Sequence, residues 1–300
     1  MNLGLQPSAA EQALQPPLIL FLHIPKTAGS TVDVVMYREY GEDGIFWCHP
    51  DPNMVGQTPA DFNKLPEHRR QRYRVVKGHF PFGLHREIKT PSTYITILRD
   101  PVERIISHYA YVKERTDHYL HQRVQVEKLN LRDYVQQKLS VELDNGQTRM
   151  LVGDRGWEPK FGQCPNEFLN IAKQNLYTHF AAVGTTERFD ELLLLLKELL
   201  GWSLPLYERR KVSQNRLTRD RISADTLTAI QSANQLDQQL YDYASQRLDE
   251  LIQEHIRFFP AKRTAFKVLN RLYINWVSRG RPSARLLQAL KRRRKPPLSK

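Results

Sequence analysis

One stretch near the N-terminus, residues 18–31, limits what this chain can fold into more than any other. It begins with Leu-Ile-Leu-Phe-Leu, a short apolar run that is typical of a strand buried on both faces. Pro25 cannot continue a strand and Gly29 lets backbone approach closely, so a tight turn is predicted next. Apolar residues from Val32 to Tyr40 then recur at three- and four-residue steps, which indicates an amphipathic helix.

The turn between this strand and this helix has the features of an anion site. A helix N-terminus presents unpaired backbone N–H groups and the positive end of the helix dipole. The sequence adds a cation at Lys26 and hydroxyl groups at Thr27, Ser30 and Thr31. We therefore predict a phosphate-like binding loop over residues 25–31, the alternative being an ordinary strand-to-helix turn. It is not a Walker A loop, because its lysine precedes the glycine.

Strand and helix patterns alternate along the rest of the chain. Strands are predicted over 73–78, 93–98 and 180–184, with a short one at 45–48, and helices include 126–139, 166–176 and 224–258. Another helix should start after Asp100, which suits an N-cap, with Pro101 at its first position. This alternation favours an α/β fold with a mostly parallel central sheet flanked by helices. Ligands of such sheets bind beyond the carboxyl ends of the strands.

Two further residues are expected at that edge of the sheet. His79 follows the 73–78 strand in a Gly-His-Phe-Pro-Phe-Gly turn, and Arg99 follows the 93–98 strand. A neutral imidazole there could take a proton from an attacking hydroxyl, whereas the alternative is a packed loop histidine. Arg99 supplies a second cation, and its alternative is a surface arginine. Asp100 is better suited to capping than to holding magnesium, so no metal is expected.

The formal net charge of +13 is concentrated at the C-terminus. Residues 261–300 contain thirteen Lys or Arg and no Asp or Glu, so the remaining 260 residues carry 32 basic and 32 acidic side chains. We expect a flexible extension over 1–17, a core domain over 18–259 and a basic extension over 260–300 that is partly helical and then disordered. A nucleic-acid-binding fold would spread basic charge over a domain face, so nucleic acid is not an expected partner.

The basic extension allows two interpretations. Phe266, Leu269, Leu272, Tyr273 and Trp276 recur at helical spacing among lysines and arginines, a pattern that suits an anionic membrane surface. The other interpretation is a helix packed on the domain, followed by a solvated tail.

Taken together, the motifs resemble the sulfotransferase family, in particular the branch with the heparan sulfate 2-O-sulfotransferases and bacterial relatives. The resemblance spans roughly residues 18–216. The matching segments are His-Ile-Pro-Lys-Thr-Ala-Gly-Ser-Thr at 23–31, Gly-His-Phe-Pro-Phe-Gly at 78–83, Leu-Arg-Asp-Pro-Val-Glu-Arg at 98–104, Ser-His-Tyr at 107–109, Asp-Asn-Gly-Gln-Thr-Arg at 144–149 and Val-Gly-Thr-Thr-Glu-Arg-Phe-Asp at 183–190.

The resemblance implies a P-loop-NTPase-like sulfotransferase fold and 3′-phosphoadenosine 5′-phosphosulfate as the sulfonate donor. It implies that Lys26 acts on the transferring group, that His79 is the catalytic base, and that Arg99 and Ser107 bind the 3′-phosphate. The 5′-phosphate would be bound by Thr27, Ala28, Gly29, Ser30 and Thr31. The acceptor would be a hydroxyl group, in this family on a carbohydrate. It would approach the site near Asn145, Gln147 and Arg149.

Several alternatives to this interpretation stay open at the sequence level. Family members of the Golgi carry an N-terminal membrane anchor, and the absence of such a pattern here favours a soluble cytoplasmic enzyme, at most peripheral to a membrane. A kinase-like P-loop phosphotransferase that uses ATP is a second hypothesis. A third is that the basic extension makes the chain a membrane- or nucleic-acid-binding protein.

Overall fold

A single parallel sheet forms the centre of the protein. The computed structural model describes residues 16–49, 57–209 and 217–280. Its strands are β1 (Leu18–Leu22), β2 (Ile45–Trp47), β3 (Val75–Gly78), β4 (Ser92–Leu98) and β5 (Phe180–Thr185). They are hydrogen-bonded in the order β2-β3-β1-β4-β5, and every neighbouring pair is parallel. The predicted α/β class is confirmed, as is the short strand near residue 45.

Helices surround this sheet in the described part of the chain. Those before β5 are α1 (Gly29–Tyr40), α2 (Pro59–Lys64), α3 (Glu67–Arg70), α4 (Pro101–Glu114), α5 (His121–Val126), α6 (Leu131–Gln136), α7 (Gly146–Val152) and α8 (Glu167–His179). Those after it are α9 (Phe189–Leu200), α10 (Ala224–Ala233), α11 (Gln235–His255) and α12 (Phe259–Gly280). Short 3₁₀ turns occur at Leu84–Arg86, Val141–Leu143, Asp154–Trp157, Thr186–Arg188 and Arg219–Arg221.

The position of β1 explains why its sequence is apolar throughout. It is the middle strand, and all five of its residues are buried because alternate side chains enter hydrophobic clusters on opposite faces of the sheet. The chain leaves β1 for the edge strand β2, returns to β3 beside β1, and then crosses to β4 on the other side of β1. The turns after β1, β3 and β4 are therefore neighbours at the switch point of the sheet, where α/β folds bind ligands.

The start of α4 follows the predicted signals. The Asp100 carboxylate accepts a hydrogen bond from the Glu103 backbone N–H at 3.0 Å, and Pro101 occupies the first turn. Because the helix is capped at Asp100, the backbone of Arg99 is held between the end of β4 and the start of α4, at the carboxyl edge of the sheet.

Two predicted helices are divided in the structure. The segment 126–139 contains the end of α5 and all of α6, because Asn130 and Asp133 form a capping box that starts a new helix. The segment 224–258 divides at Asn234, whose side-chain amide donates to the carbonyls of Leu143 and Ile230. Apolar periodicity continues across both breaks, which is why it did not reveal them.

The basic extension begins as the helix α12. Phe266, Asn270 and Val277 are buried on one side of it, and Phe266 belongs to the same hydrophobic cluster as α9. This part of the extension is therefore a helix that packs on the domain. The predicted disorder beyond it concerns residues 281–300, which lie outside the described residues, as do residues 1–15 of the predicted N-terminal extension. None of the described helices is both long enough and apolar enough to cross a bilayer.

Candidate active site

The turn after β1 has an unusual backbone. Lys26 and Ala28 both adopt left-handed conformations, with φ of 72° and 65°, which side chains with a Cβ rarely do. Such conformations cost roughly 1–3 kcal/mol each and cluster at binding sites. The helix α1 starts directly afterwards, and the N–H groups of Gly29 and Ser30 occupy the positions that have no intrahelical partner. The backbone of this turn is thus shaped to present N–H donors to an anion.

The side chains of the turn divide into internal and outward-directed groups. The Thr27 hydroxyl donates to the Ile24 carbonyl at 2.8 Å and is buried, so it holds the turn together. Gly29 is required by packing, since a Cβ at this position would lie 1.9 Å from Nε2 of His23. Ser30 and Lys26 are partly exposed. The predicted anion loop therefore offers its outward groups through Lys26, Ser30 and the backbone rather than through every hydroxyl.

Lys26 extends toward α4. Its ammonium lies 3.9 Å from the centre of the Tyr111 ring, a cation–π contact. Ser107 is four residues before Tyr111 and therefore lies on the same face of α4, toward this lysine. Tyr111 was not predicted as a site residue, although its spacing from Ser107 on a strongly capped helix could have indicated it.

Arg99 connects the β4 end to the turn. Its guanidinium donates from Nη1 to the Lys26 carbonyl at 3.0 Å, and only 12% of its side chain is exposed. The Arg99 backbone is fixed as well, because its N–H donates to the Gln147 side-chain oxygen and its carbonyl accepts from the Gln147 amide, both at 2.9 Å. Arg99 thus positions the loop that carries Lys26. Its predicted contact with a 3′-phosphate remains a prediction.

His79 follows β3 and lies beside the same turn. Its ring is 4.4 Å from the ring of His23, which in turn stacks on Phe21. Nδ1 of His79 lies 2.6 Å from the His23 carbonyl oxygen, and since a carbonyl can only accept, Nδ1 carries the proton. The lone pair of the neutral ring is therefore on Nε2. Part of the His79 side chain is exposed to solvent, but protein atoms surround the rest of it. The resulting desolvation of the ring lowers the pKa of His79, although the hydrogen bond to His23 opposes the shift.

A buried ion pair lies directly before the His79 turn. The Lys77 ammonium on β3 is bonded to the Asp33 carboxylate on α1 and lies 4.1 Å from the centre of the Trp47 ring. Lys77 is 1% exposed, whereas charged residues in strands are rarely buried. The pair joins the strand before His79 to the helix after Lys26, so it fixes the distance between the two turns.

The three residues expected to approach an acceptor lie inside the protein. Gln147 is occupied by the Arg99 backbone, and the Asn145 side-chain oxygen accepts from the backbone N–H groups of Leu236 and Asp237 at the start of α11. Arg149 is 0% exposed and is bonded to the Asp144 carboxylate at 2.6 Å and to several backbone carbonyls. The expected acceptor contacts of Asn145, Gln147 and Arg149 do not fit these positions. Through Gln147 and Arg99, the segment supports the turn that carries Lys26.

This correction carries a stability prediction. Arg149→Met should lower the free energy of unfolding by about 3–5 kcal/mol, because it leaves the buried Asp144 carboxylate without its cation and four backbone carbonyls without the Arg149 donor. Arg132→Met is the matched control, since Arg132 is 50% exposed and 3.9 Å from Asp225, and it should change stability by less than about 1 kcal/mol. Urea unfolding compares the two. An Arg149 variant as stable as the native protein that has lost only acceptor affinity would restore the acceptor interpretation.

Comparison with known proteins places this site in a family. The sequence model of the galactose-3-O-sulfotransferase family matches residues 2–258. The chain belongs to this family. Galactose-3-O-sulfotransferase 3 of Bos taurus is 27% identical over 244 residues, which cover 75% of this chain and 55% of that protein. Heparan sulfate 2-O-sulfotransferase 1 of Xenopus laevis is 24% identical over 257 residues, covering 76% of this chain and 69% of that protein.

A third relative acts on a glycolipid, according to its name. Galactosylceramide sulfotransferase of Bos taurus is 27% identical over 244 residues, covering 74% of this chain and 55% of that protein. The chain spans about half the length of the galactose-3-O-sulfotransferase relatives it matches. The predicted resemblance to sulfotransferases is confirmed: the matching family model is that of galactose-3-O-sulfotransferases, and heparan sulfate 2-O-sulfotransferases are among the relatives.

Proposed function

We propose that this member of the galactose-3-O-sulfotransferase family transfers a sulfonate group from 3′-phosphoadenosine 5′-phosphosulfate to a hydroxyl of a carbohydrate or glycolipid. The observation that carries the proposal is that the turn with Lys26 and the turn with His79 follow neighbouring strands at the switch point of the sheet, with Nε2 of His79 as the basic nitrogen. The left-handed turn and the start of α1 suit the donor's 5′-phosphate, because both present backbone N–H groups.

The chemistry is an in-line displacement at sulfur. The acceptor oxygen forms a bond to sulfur while the bond from sulfur to the 5′-phosphate oxygen breaks, and 3′-phosphoadenosine 5′-phosphate leaves. Nε2 of His79 takes the proton of the acceptor hydroxyl. The Lys26 ammonium stabilises the negative charge that develops on the departing phosphate oxygen. Arg99 serves this step indirectly, by holding the Lys26 carbonyl and so the direction of that lysine.

The acceptor class comes from the relatives, whose names specify galactose, galactosylceramide and heparan sulfate. We propose a terminal galactose, because the family model that matches the chain is the galactose-3-O one. Transfer of radiolabelled sulfonate to a β-galactoside, to galactosylceramide and to desulfated heparan sulfate tests this choice. A β-galactoside methylated on the 3-hydroxyl is the matched control and should accept no label. Label transfer from ATP but not from the sulfonate donor would instead support the kinase hypothesis.

The pH dependence of turnover should reflect His79. Because desolvation places its pKa below the ordinary histidine value of 6.5, the ring is neutral and active at neutral pH. Activity should fall only as the pH drops through that lowered pKa, where protonation occupies Nε2. A profile of kcat/KM against pH measures this, and an acid limb centred well above 6.5 would contradict the assignment of His79 as the base.

A further inference from the structure

The outer side of α12 exposes a continuous apolar stripe that the catalytic account does not use. Val268 is 55% exposed, Leu272 58% and Trp276 63%, and Leu269 is exposed beside them. The large apolar side chains that are as accessible elsewhere in the described part of the chain, Tyr119, Val126, Tyr177 and Phe258, do not share one helix. Solvent contact of several such residues on one helix is costly, so the stripe calls for a partner.

The stripe is distinct from the side by which α12 packs on the domain. At about 100° per residue, Val268, Leu269, Leu272 and Trp276 together span about 100° of the helix circumference. The buried residues Phe266, Asn270 and Val277 point in a direction about 130° away from the middle of that stripe. The helix is therefore held by one face while another remains open along at least two turns.

Charge indicates what covers the open face. Lys267 and Arg271 are exposed on the same helix, and α12 contains no acidic residue. The sequence that continues from it, residues 281–300, has eight Lys or Arg and no Asp or Glu. An apolar stripe with a Trp and a basic flank is the composition of helices that lie in the interface of an anionic bilayer. Nucleic acid would be bound through the charges, without a need for aliphatic side chains.

We propose that α12 docks this protein on an anionic membrane surface, with Val268, Leu269, Leu272 and Trp276 inserted at the level of the head groups. Lys267 and Arg271, which are exposed on the same helix, contact the lipid phosphates. Docking of this kind is independent of the proposed reaction, since none of these residues belongs to the donor site.

Vesicle co-sedimentation of the full chain tests the proposal. Vesicles of phosphatidylcholine with 30% phosphatidylglycerol should bind the protein. Pure phosphatidylcholine vesicles should bind it with an affinity at least about tenfold lower. The double variant Leu272→Glu and Trp276→Glu should lose binding by at least about tenfold, because it removes two inserted side chains and adds negative charge. The matched control is Val126→Glu with Tyr177→Glu, which makes the same change of charge at side chains that are 73% and 62% exposed on α5 and α8.

The control separates the stripe from net charge. Full binding by the Val126/Tyr177 variant and loss by the Leu272/Trp276 variant supports the proposal, with circular dichroism showing both folded. If both variants lose vesicle binding equally, the stripe has no specific role. The same follows if both variants still bind and only high salt removes them from the vesicles. Failure of the native protein to bind anionic vesicles overturns the proposal outright. A dimer of the native protein in sedimentation velocity that only the Leu272/Trp276 substitutions dissociate would also overturn the proposal. So would tighter binding to duplex DNA than to vesicles, if the Leu272/Trp276 substitutions weakened the DNA binding in the same way.

Discussion

Replacing Lys26 with methionine is expected to lower kcat by about 10²–10³-fold at saturating donor, the range for loss of one group that stabilises developing transition-state charge. Methionine keeps a Cβ and a side chain of similar length, so the left-handed backbone at φ 72° is no more strained than with lysine. The loss would therefore report the ammonium itself. The measurement is the steady-state rate of sulfonate transfer to a galactoside.

Lys113→Met serves as the control for Lys26→Met. Lys113 also lies over a tyrosine of α4, 5.4 Å from the centre of the Tyr109 ring, but its side chain is exposed and outside the three turns of the site. Its replacement should leave kcat within about twofold, since exposed charges away from a site have small effects. A Lys26 variant that turns over at a rate close to that of the native protein would remove this residue from the proposed mechanism.

Replacing His79 with asparagine is expected to lower kcat by about 10²–10⁴-fold, the usual contribution of a positioned general base. Asparagine is chosen because its side-chain amide can donate to the His23 carbonyl as Nδ1–H of the histidine does, at 2.6 Å. The turn should therefore keep its shape while the basic nitrogen is lost. Donor affinity, measured separately, should change little, and the acid limb of the pH profile should disappear.

His68→Asn provides the comparison for His79→Asn, since His68 is an exposed histidine on the short helix α3. It should leave both rate and pH profile unchanged. If the His79 variant keeps native turnover, another group must take the acceptor proton. If it instead loses donor binding with little change in kcat, His79 contributes to the shape of the donor site and not to proton transfer.

The sequence predicted those features of the site whose backbone geometry depends directly on residue type. A five-residue apolar run, a proline, a glycine and a capped helix start sufficed to predict β1, its turn and α1, and parallel strands bring their carboxyl ends together. Lys26, His79 and Arg99 thus follow three adjacent strands at one edge of the sheet, as expected. Arg99 nevertheless turned out to hold the Lys26 carbonyl, because burial and side-chain direction are set by tertiary contacts that a motif does not record.

The segment 145–149 shows the limit more clearly. Asparagine, glutamine and arginine in a family motif suggested contacts with a polar acceptor, and the same residue types also serve as buried hydrogen-bonding groups. The difference depends on Asp144, Asp237 and the backbone carbonyls around them, which lie up to 92 residues away along the chain. Tyr111 was missed for a similar reason, since its role depends on the direction of the Lys26 side chain.

The most direct test of the central claim is calorimetric titration with 3′-phosphoadenosine 5′-phosphate and, separately, with ADP. The two nucleotides differ in the 3′-phosphate and in the 5′-diphosphate, so they distinguish a sulfonate-donor site from an ATP site. We predict that 3′-phosphoadenosine 5′-phosphate binds at least tenfold more tightly, because only this nucleotide carries the 3′-phosphate that Arg99 is predicted to bind, whereas the start of α1 can bind a 5′-phosphate of either. Equal or tighter binding of ADP would contradict the assignment of this site to a sulfonate donor.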